Sequence, residues 1–212
     1  MEADGRVVVV ADRYRGLRLN RPNDVVVKSD GAIYFTDPFN RPPAPPEKWE
    51  QPVAGVYRVS ADLASVDLVA EGFTFPNGLA FSPDERVLYV ADSRPRNILA
   101  YNVLIDGRLD KASERVFANV GGDGPGLPDG IKVDSAGNVY TGGAGGIWII
   151  DPAGKRLGLI VHGEPFTPNI AFGGDDWKTL YFFTATTRRD GTSLRELRLN
   201  IPGLAVPARG HS

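Results

Sequence analysis

One pattern recurs four times along the 212 residues and constrains the fold more than any other feature. Pro22–Asp37, Pro76–Asp92, Pro128–Tyr140 and Pro168–Phe183 each open with Pro followed by Asn or Asp. Each copy runs through a short apolar stretch and turns at a cluster of Gly, Asp or Ser. It then resumes in a second stretch centred on Tyr34, Tyr89, Tyr140 or Tyr181. Gly, Asp and Asn tolerate the positive φ that tight hairpins need, so each copy reads as a β-hairpin.

Further strand candidates follow the hairpins: Gly55–Val59 and Ser65–Val69, Ile98–Tyr101 and Arg115–Phe117, Gly146–Ile150 and Leu157–Val161, and Ser193–Leu199. The copies start roughly 40–55 residues apart, the range of four-stranded propeller blades. The spacing therefore predicts an all-β fold in one domain over 1–212, an incomplete β-propeller with blades at 23–70, 77–118, 129–161 and 169–199. Residues 5–12 read as the outer strand of a preceding blade. A β-sandwich of repeated hairpins is the competing architecture, but sandwiches rarely repeat one opening motif. The 25 Gly and 17 Pro fall between the Val, Ile, Leu, Tyr and Phe runs, as turns between short strands do. No helical periodicity extends beyond about three turns.

Charge and composition exclude several function classes. The net charge is −2 and Lys, Arg, Asp and Glu are interspersed, which argues against a nucleic-acid partner. No apolar run approaches the ~18 residues a membrane helix needs, and Val7–Val10 is too short for a signal-peptide core. A cytoplasmic location is the expectation. The absence of cysteine removes disulfides, thiol nucleophiles and Cys-based zinc sites.

In a propeller the first strand of each blade is innermost, and its start lies at one mouth of the central channel. Asn23, Asn77, Asp129 and Asn169 hold that position and would converge on the axis. Four oxygen-bearing side chains suit Ca²⁺, a hard cation with oxygen ligands, better than Zn²⁺. Asx turns that merely start each strand explain the same residues equally well.

Six stretches carry a resemblance: Arg21–Asp24, Ile33–Pro38, Pro76–Phe81, Leu88–Asp92, Pro128–Asp134 and Gly145–Trp148. In order and spacing they resemble the senescence marker protein/gluconolactonase family, which includes regucalcin and Drp-type lactonases, from about Val7 to Leu199. The resemblance implies a six-bladed propeller with a divalent cation at the channel mouth, usually Ca²⁺ and sometimes Zn²⁺ or Mg²⁺. It implies Asn77 and Asp129 as metal ligands, Asn23 beside the metal and touching substrate, and Arg21 holding substrate oxygens. The implied activity is hydrolysis of lactones such as gluconolactone, with Asp129 as the general base toward water.

The sequence departs from that family in one respect. A further ligand, a Glu in a Glu-Gly-Pro-like motif of the first blade, has no match, and neither Glu2 nor Glu71 stands in that context. The expectation is a propeller lacking its N-terminal blades, with open edges that invite self-association. A non-catalytic fragment or sugar-acid binding module is the alternative function, and arylesterase chemistry a weaker third.

Other features read as structural. Asp37, Asp92 and Asp134 sit where turn caps belong, and Trp148 and Trp177 are expected between blades. Gly121–Gly126 lacks the Lys-Ser/Thr of a phosphate loop and reads as a flexible loop bordering the mouth. The Pro-rich stretch 40–49 is expected to be a rigid excursion, with a lid over the site as the sharper option. His162 and His211 are the only histidines, and neither stands near a nucleophile-elbow Ser.

Overall fold

The structure, a computed structural model, describes residues 5–39, 49–186 and 191–205. The Pro-rich residues 40–48, together with Glu2 and His211, lie outside the described residues. After a two-stranded ladder, β1 (Arg13–Tyr14) with β2 (Leu17–Arg18), the chain forms four antiparallel sheets, each in simple up-and-down order. The first holds β3 (Val25–Val27), β4 (Ile33–Asp37), β5 (Gly55–Val59) and β6 (Val66–Glu71). The second holds β7 (Pro76–Phe81), β8 (Val87–Asp92), β9 (Asn97–Val103) and β10 (Leu109–Asn119). The third holds β11 (Ile131–Val133), β12 (Val139–Gly143), β13 (Gly146–Ile150) and β14 (Arg156–Ile160). The fourth has three strands, β15 (Ile170–Gly173), β16 (Thr179–Ala185) and β17 (Thr192–Arg198). No helix occurs among the described residues.

The sheets are blades because of where their apolar side chains go. One core layer joins Tyr34 and Val56 of the first sheet to Leu79, Phe81 and Leu88 of the second. The next joins Ala80, Ile98 and Ala100 to Ile131, Val139 and Ile150. A third joins Tyr140 and Ile147 to Ile170, Leu180 and Phe182. The core is thus divided into layers between neighbouring sheets, each sheet buried by the next, as radial repetition requires. Complete burial of a side chain such as Ile147 is worth about 1.5–3 kcal/mol. The first strands of the blades are neighbours: β7 lies beside β3 and β11, and β11 beside β15.

Backbone hydrogen bonds stitch these inner strands together at their starts. The Gly78 N–H donates to the Asp129 carbonyl at 3.1 Å, and the Gly130 N–H donates to the Pro168 carbonyl at 3.1 Å. This explains the glycine after Asn77 and after Asp129. A Cβ on Gly78 would lie 2.1 Å from the Asp129 carbonyl oxygen, and one on Gly130 would lie 2.2 Å from Asn169 Oδ1. In the first blade Asp24 stands at the glycine position, and its Oδ2 instead accepts from the Leu79 N–H of the next blade at 3.4 Å.

Two expectations are corrected. Residues 5–12 form no strand, and Val7 and Val9 are largely exposed. No described strand offers them partners, and an unpaired strand leaves its backbone groups without hydrogen bonds. Trp177 sits in the β15–β16 turn with φ 58°, outside the interblade core layers. Trp148 does pack against the layer between the second and third blades.

Candidate functional site

The loops that enter the inner strands are fixed by carboxylates at the ends of second strands. Asp37, fully buried, accepts from the Asn20 N–H at 2.8 Å and the Arg21 N–H at 2.6 Å. Asp92 repeats this in the next blade, accepting from the Thr74 N–H at 2.8 Å and the Phe75 N–H at 2.7 Å. These aspartates are caps, as their positions suggest, and each sets the backbone of a residue in the wall of one cavity, Arg21 or Phe75. Burial pushes the Asp37 carboxyl upward, opposed by the two N–H groups that it accepts. Asp134 is also a cap, accepting from the Ala136 and Asn138 N–H groups and from the Tyr140 hydroxyl.

The cavity, about 550 Å³, lies at the starts of the inner strands. Arg21, Asn23, Asn77 and Asp129 all line it, contributed by three successive blades. Asn169, the fourth member of the expected ring, does not. Its Oδ1 accepts from the Ile170 N–H at 2.8 Å, an Asx contact that starts β15. The two explanations for the ring therefore divide: three residues reach the cavity and the fourth serves its own turn. Leu127, at the end of the Gly121–Gly126 loop, also reaches the wall, as does Phe39. The Phe39 ring stacks on Trp49 at 4.6 Å, one on each side of the Pro-rich stretch.

Asn77 is buried and its amide orientation is decided by a neighbour that sequence reasoning missed. Ser93 donates its single hydroxyl hydrogen to the Pro128 carbonyl at 2.6 Å. Its oxygen can then only accept from Asn77, whose Nδ2 lies at 3.0 Å. The Asn77 carbonyl oxygen Oδ1 is left as the acceptor of that side chain. Thr36 Oγ1 also donates to the Asn77 backbone carbonyl at 2.7 Å, tying the first blade to the second at this point. Asn77 Oδ1 and the half-buried Asp129 carboxylate make a hard oxygen donor set. Such a set fits Ca²⁺ or Mg²⁺ and lacks the nitrogen or sulfur that Zn²⁺ favours. Among the described residues no three His, Cys, Asp or Glu side chains form a cluster.

Thr167 is a second missed lining residue, buried yet facing the same cavity. Its flanks are pinned by Phe166 paired to Ala185 and by the Gly130 N–H on the Pro168 carbonyl. Its backbone lies against Gly142, where a Cβ would come 2.9 Å from the Thr167 carbonyl oxygen. His162 Nε2 lies 2.7 Å from Thr167 Oγ1, and His162 Nδ1 accepts from the Glu164 N–H at 3.2 Å. No local pattern signals this pair, because two ordinary side chains stand five positions apart along a loop.

Burial, then the nearby Arg195 guanidinium, hold His162 below the ordinary 6.5, with Glu164 opposing them. The fold thus favours the neutral imidazole. Its contribution to stability is complete above pH 6.5 and is lost as pH falls from 6.5 through the folded-state pKa. Thermal unfolding followed between about pH 7.5 and pH 5 is expected to show this loss, and His162→Gln is expected to flatten that part of the profile.

Residues 2–186 match the family described as SMP-30/Gluconolactonase/LRE-like region. A gluconolactonase of Zymomonas mobilis is 41% identical over 174 residues, covering 78% of this chain and 48% of the relative. A pentonolactonase of Haloferax volcanii is 30% identical, covering 89% of this chain and 64% of the relative. A solved gluconolactonase of Xanthomonas campestris superposes with a TM-score of 0.76 at 35% identity, covering 95% of this chain and 64% of that structure. The chain spans about half to two thirds of the length of these relatives. With the family match extending over most of its length and the blade architecture in common, the chain belongs to the SMP-30/gluconolactonase/LRE-like family.

Proposed function

We propose that the cavity is the mouth of a lactone hydrolase, with Asn77 and Asp129 holding a hard divalent cation, Ca²⁺ or Mg²⁺, to which their oxygen donors are suited. The observation that carries this reading is the convergence of Arg21, Asn23, Asn77 and Asp129 in one cavity. The relatives named as lactonases support the reaction class.

A cation bound there would polarise the lactone carbonyl and stabilise the charge that develops on its oxygen. The chain's own groups do the rest. Asp129 needs one carboxylate oxygen for ligation, and the other can take a proton from the attacking water. Water oxygen bonds to the acyl carbon, the ring C–O bond breaks, and the released alkoxide regains a proton to give the hydroxy acid. The planar guanidinium of Arg21 offers paired donors to substrate oxygens. The neutral amide of Asn23 can bind a hydroxyl without adding charge. Ser93 keeps the Asn77 carbonyl, not its NH₂, available to the site.

Calorimetric titration of the wild-type chain with Ca²⁺ is expected to give one saturable site that Asp129→Ala removes. A panel of glucono-1,5-lactone and phenyl acetate is expected to show turnover of the lactone. Ca²⁺ binding unaffected by Asp129→Ala would remove the metal assignment, and turnover of the aryl ester alone would replace lactonase with esterase.

A further inference from the structure

The His162–Thr167 pair has a direction that follows from its hydrogen bonds. His162 Nδ1 accepts from the Glu164 N–H and so carries no hydrogen in the neutral ring. The ring hydrogen is therefore on Nε2 and is donated to Thr167 Oγ1 at 2.7 Å. This rules out the familiar alternative, in which the imidazole takes the hydroxyl proton and makes the threonine a nucleophile, since Nε2 has no free lone pair. The hydroxyl is instead an acceptor toward His162, and its own hydrogen has no acceptor among the described residues. Thr167 is only 4% exposed and is one of the residues that line the cavity.

Several contacts hold the loop that carries His162. Arg195 Nη1 donates to the His162 backbone carbonyl at 2.9 Å, and its Nη2 lies 3.6 Å from Glu164 Oε1. The imidazole packs at 5.8 Å from the Phe182 ring, itself part of the layer between the third and fourth blades. A buried hydroxyl whose oxygen already accepts from His162 is left to act as a donor: a ligand that supplies the acceptor gains a hydrogen bond, and one that does not leaves a buried donor unmet. Thr167 belongs to the fourth blade and Arg21 to the first, so a ligand touching both must extend across the mouth. A bare lactone ring has one polar end. A sugar lactone, with hydroxyls around the ring and on its exocyclic carbon, has acceptors at both.

We propose that Thr167, oriented by His162 as a positioning residue, donates a hydrogen bond to a hydroxyl oxygen of a polyhydroxylated lactone and so selects sugar lactones over unsubstituted ones. This rests on the lactone hydrolase reading above.

The test compares glucono-1,5-lactone with δ-valerolactone, the same ring without hydroxyls, and adds calorimetric binding of D-gluconate. Thr167→Val is expected to raise KM for the sugar lactone about tenfold and weaken gluconate binding to a similar extent. The same variant should leave δ-valerolactone within about twofold. Thr167→Ser, which keeps the hydroxyl, should restore the preference, and His162→Gln, which keeps an N–H donor, should retain most of it. Imidazole ¹⁵N NMR of the wild-type chain is expected to show the Nε2–H tautomer whether or not the chain turns over lactone. An Nδ1–H tautomer, or equal losses on both lactones in Thr167→Val, would overturn the inference while leaving lactonase activity in place. A wild-type chain that neither hydrolyses a lactone nor binds gluconate would instead overturn the lactone hydrolase reading, and this inference with it.

Discussion

Asp129→Asn is expected to lower turnover of glucono-1,5-lactone by about three orders of magnitude while the chain stays folded. The substitution keeps the shape of the side chain and removes its charge. The backbone carbonyl of residue 129 still accepts from Gly78, so the seam between blades survives. Two functions disappear together. An amide cannot take a proton from water at neutral pH, and loss of a general base alone costs about 10²–10⁴ in rate. The amide also supplies no charge to a cation. The expected pattern is a collapse of kcat with a thermal midpoint close to wild type. Retained activity would show that the base lies elsewhere in the mouth.

Gly78→Ala is expected to destabilise the fold by about 3 kcal/mol or more, as an overpacked site that only backbone can relieve. The new Cβ would meet the Asp129 carbonyl oxygen at 2.1 Å, the Ile131 nitrogen at 2.8 Å and the Gly130 Cα at 3.0 Å. All three are main-chain atoms of the next blade, so no side chain can swing aside. Relief requires β7 and β11 to part where Asn77 and Asp129 enter the cavity, so the effect should reach the site as well as stability. Gly158→Ala in β14 is the control. Its Cβ would meet only Ile149 Cδ1, at 4.0 Å, and the change should fall within about 0.5 kcal/mol of wild type in chemical denaturation.

The same residues show what the sequence reveals and why it stops. The Pro-Asn-Gly and Pro-Asp-Gly openings are legible because one physical demand repeats: a side chain at the mouth followed by a glycine that lets the next blade approach. Strands such as β5 and β13 coincide with Gly55–Val59 and Gly146–Ile150 because turn residues and β-branched or aromatic runs bound them closely. Local chemistry sufficed there. It did not suffice for Asn169, whose position in the repeat matches the other three but whose oxygen is taken by its own strand. Residues 5–12 carry a strand-like run of valines, yet strand formation depends on a neighbour that composition does not supply. Ser93 and the His162–Thr167 pair were invisible for a third reason. Ser93 acts on residues 16 and 35 positions away, across a blade boundary. The meaning of His162 comes from which of its nitrogens meets Glu164, and no spacing rule contains that.

The lactone hydrolase reading rests on one mouth to which four successive blades contribute. Proton release from glucono-1,5-lactone, followed at constant pH with the wild-type chain in Ca²⁺ and corrected for spontaneous hydrolysis, tests it most directly. A lactone hydrolase with this site gives a saturable rate above the spontaneous one, abolished by chelation and restored by Ca²⁺. A folded chain whose rate equals the spontaneous one at every lactone concentration, with Ca²⁺ present, would contradict it.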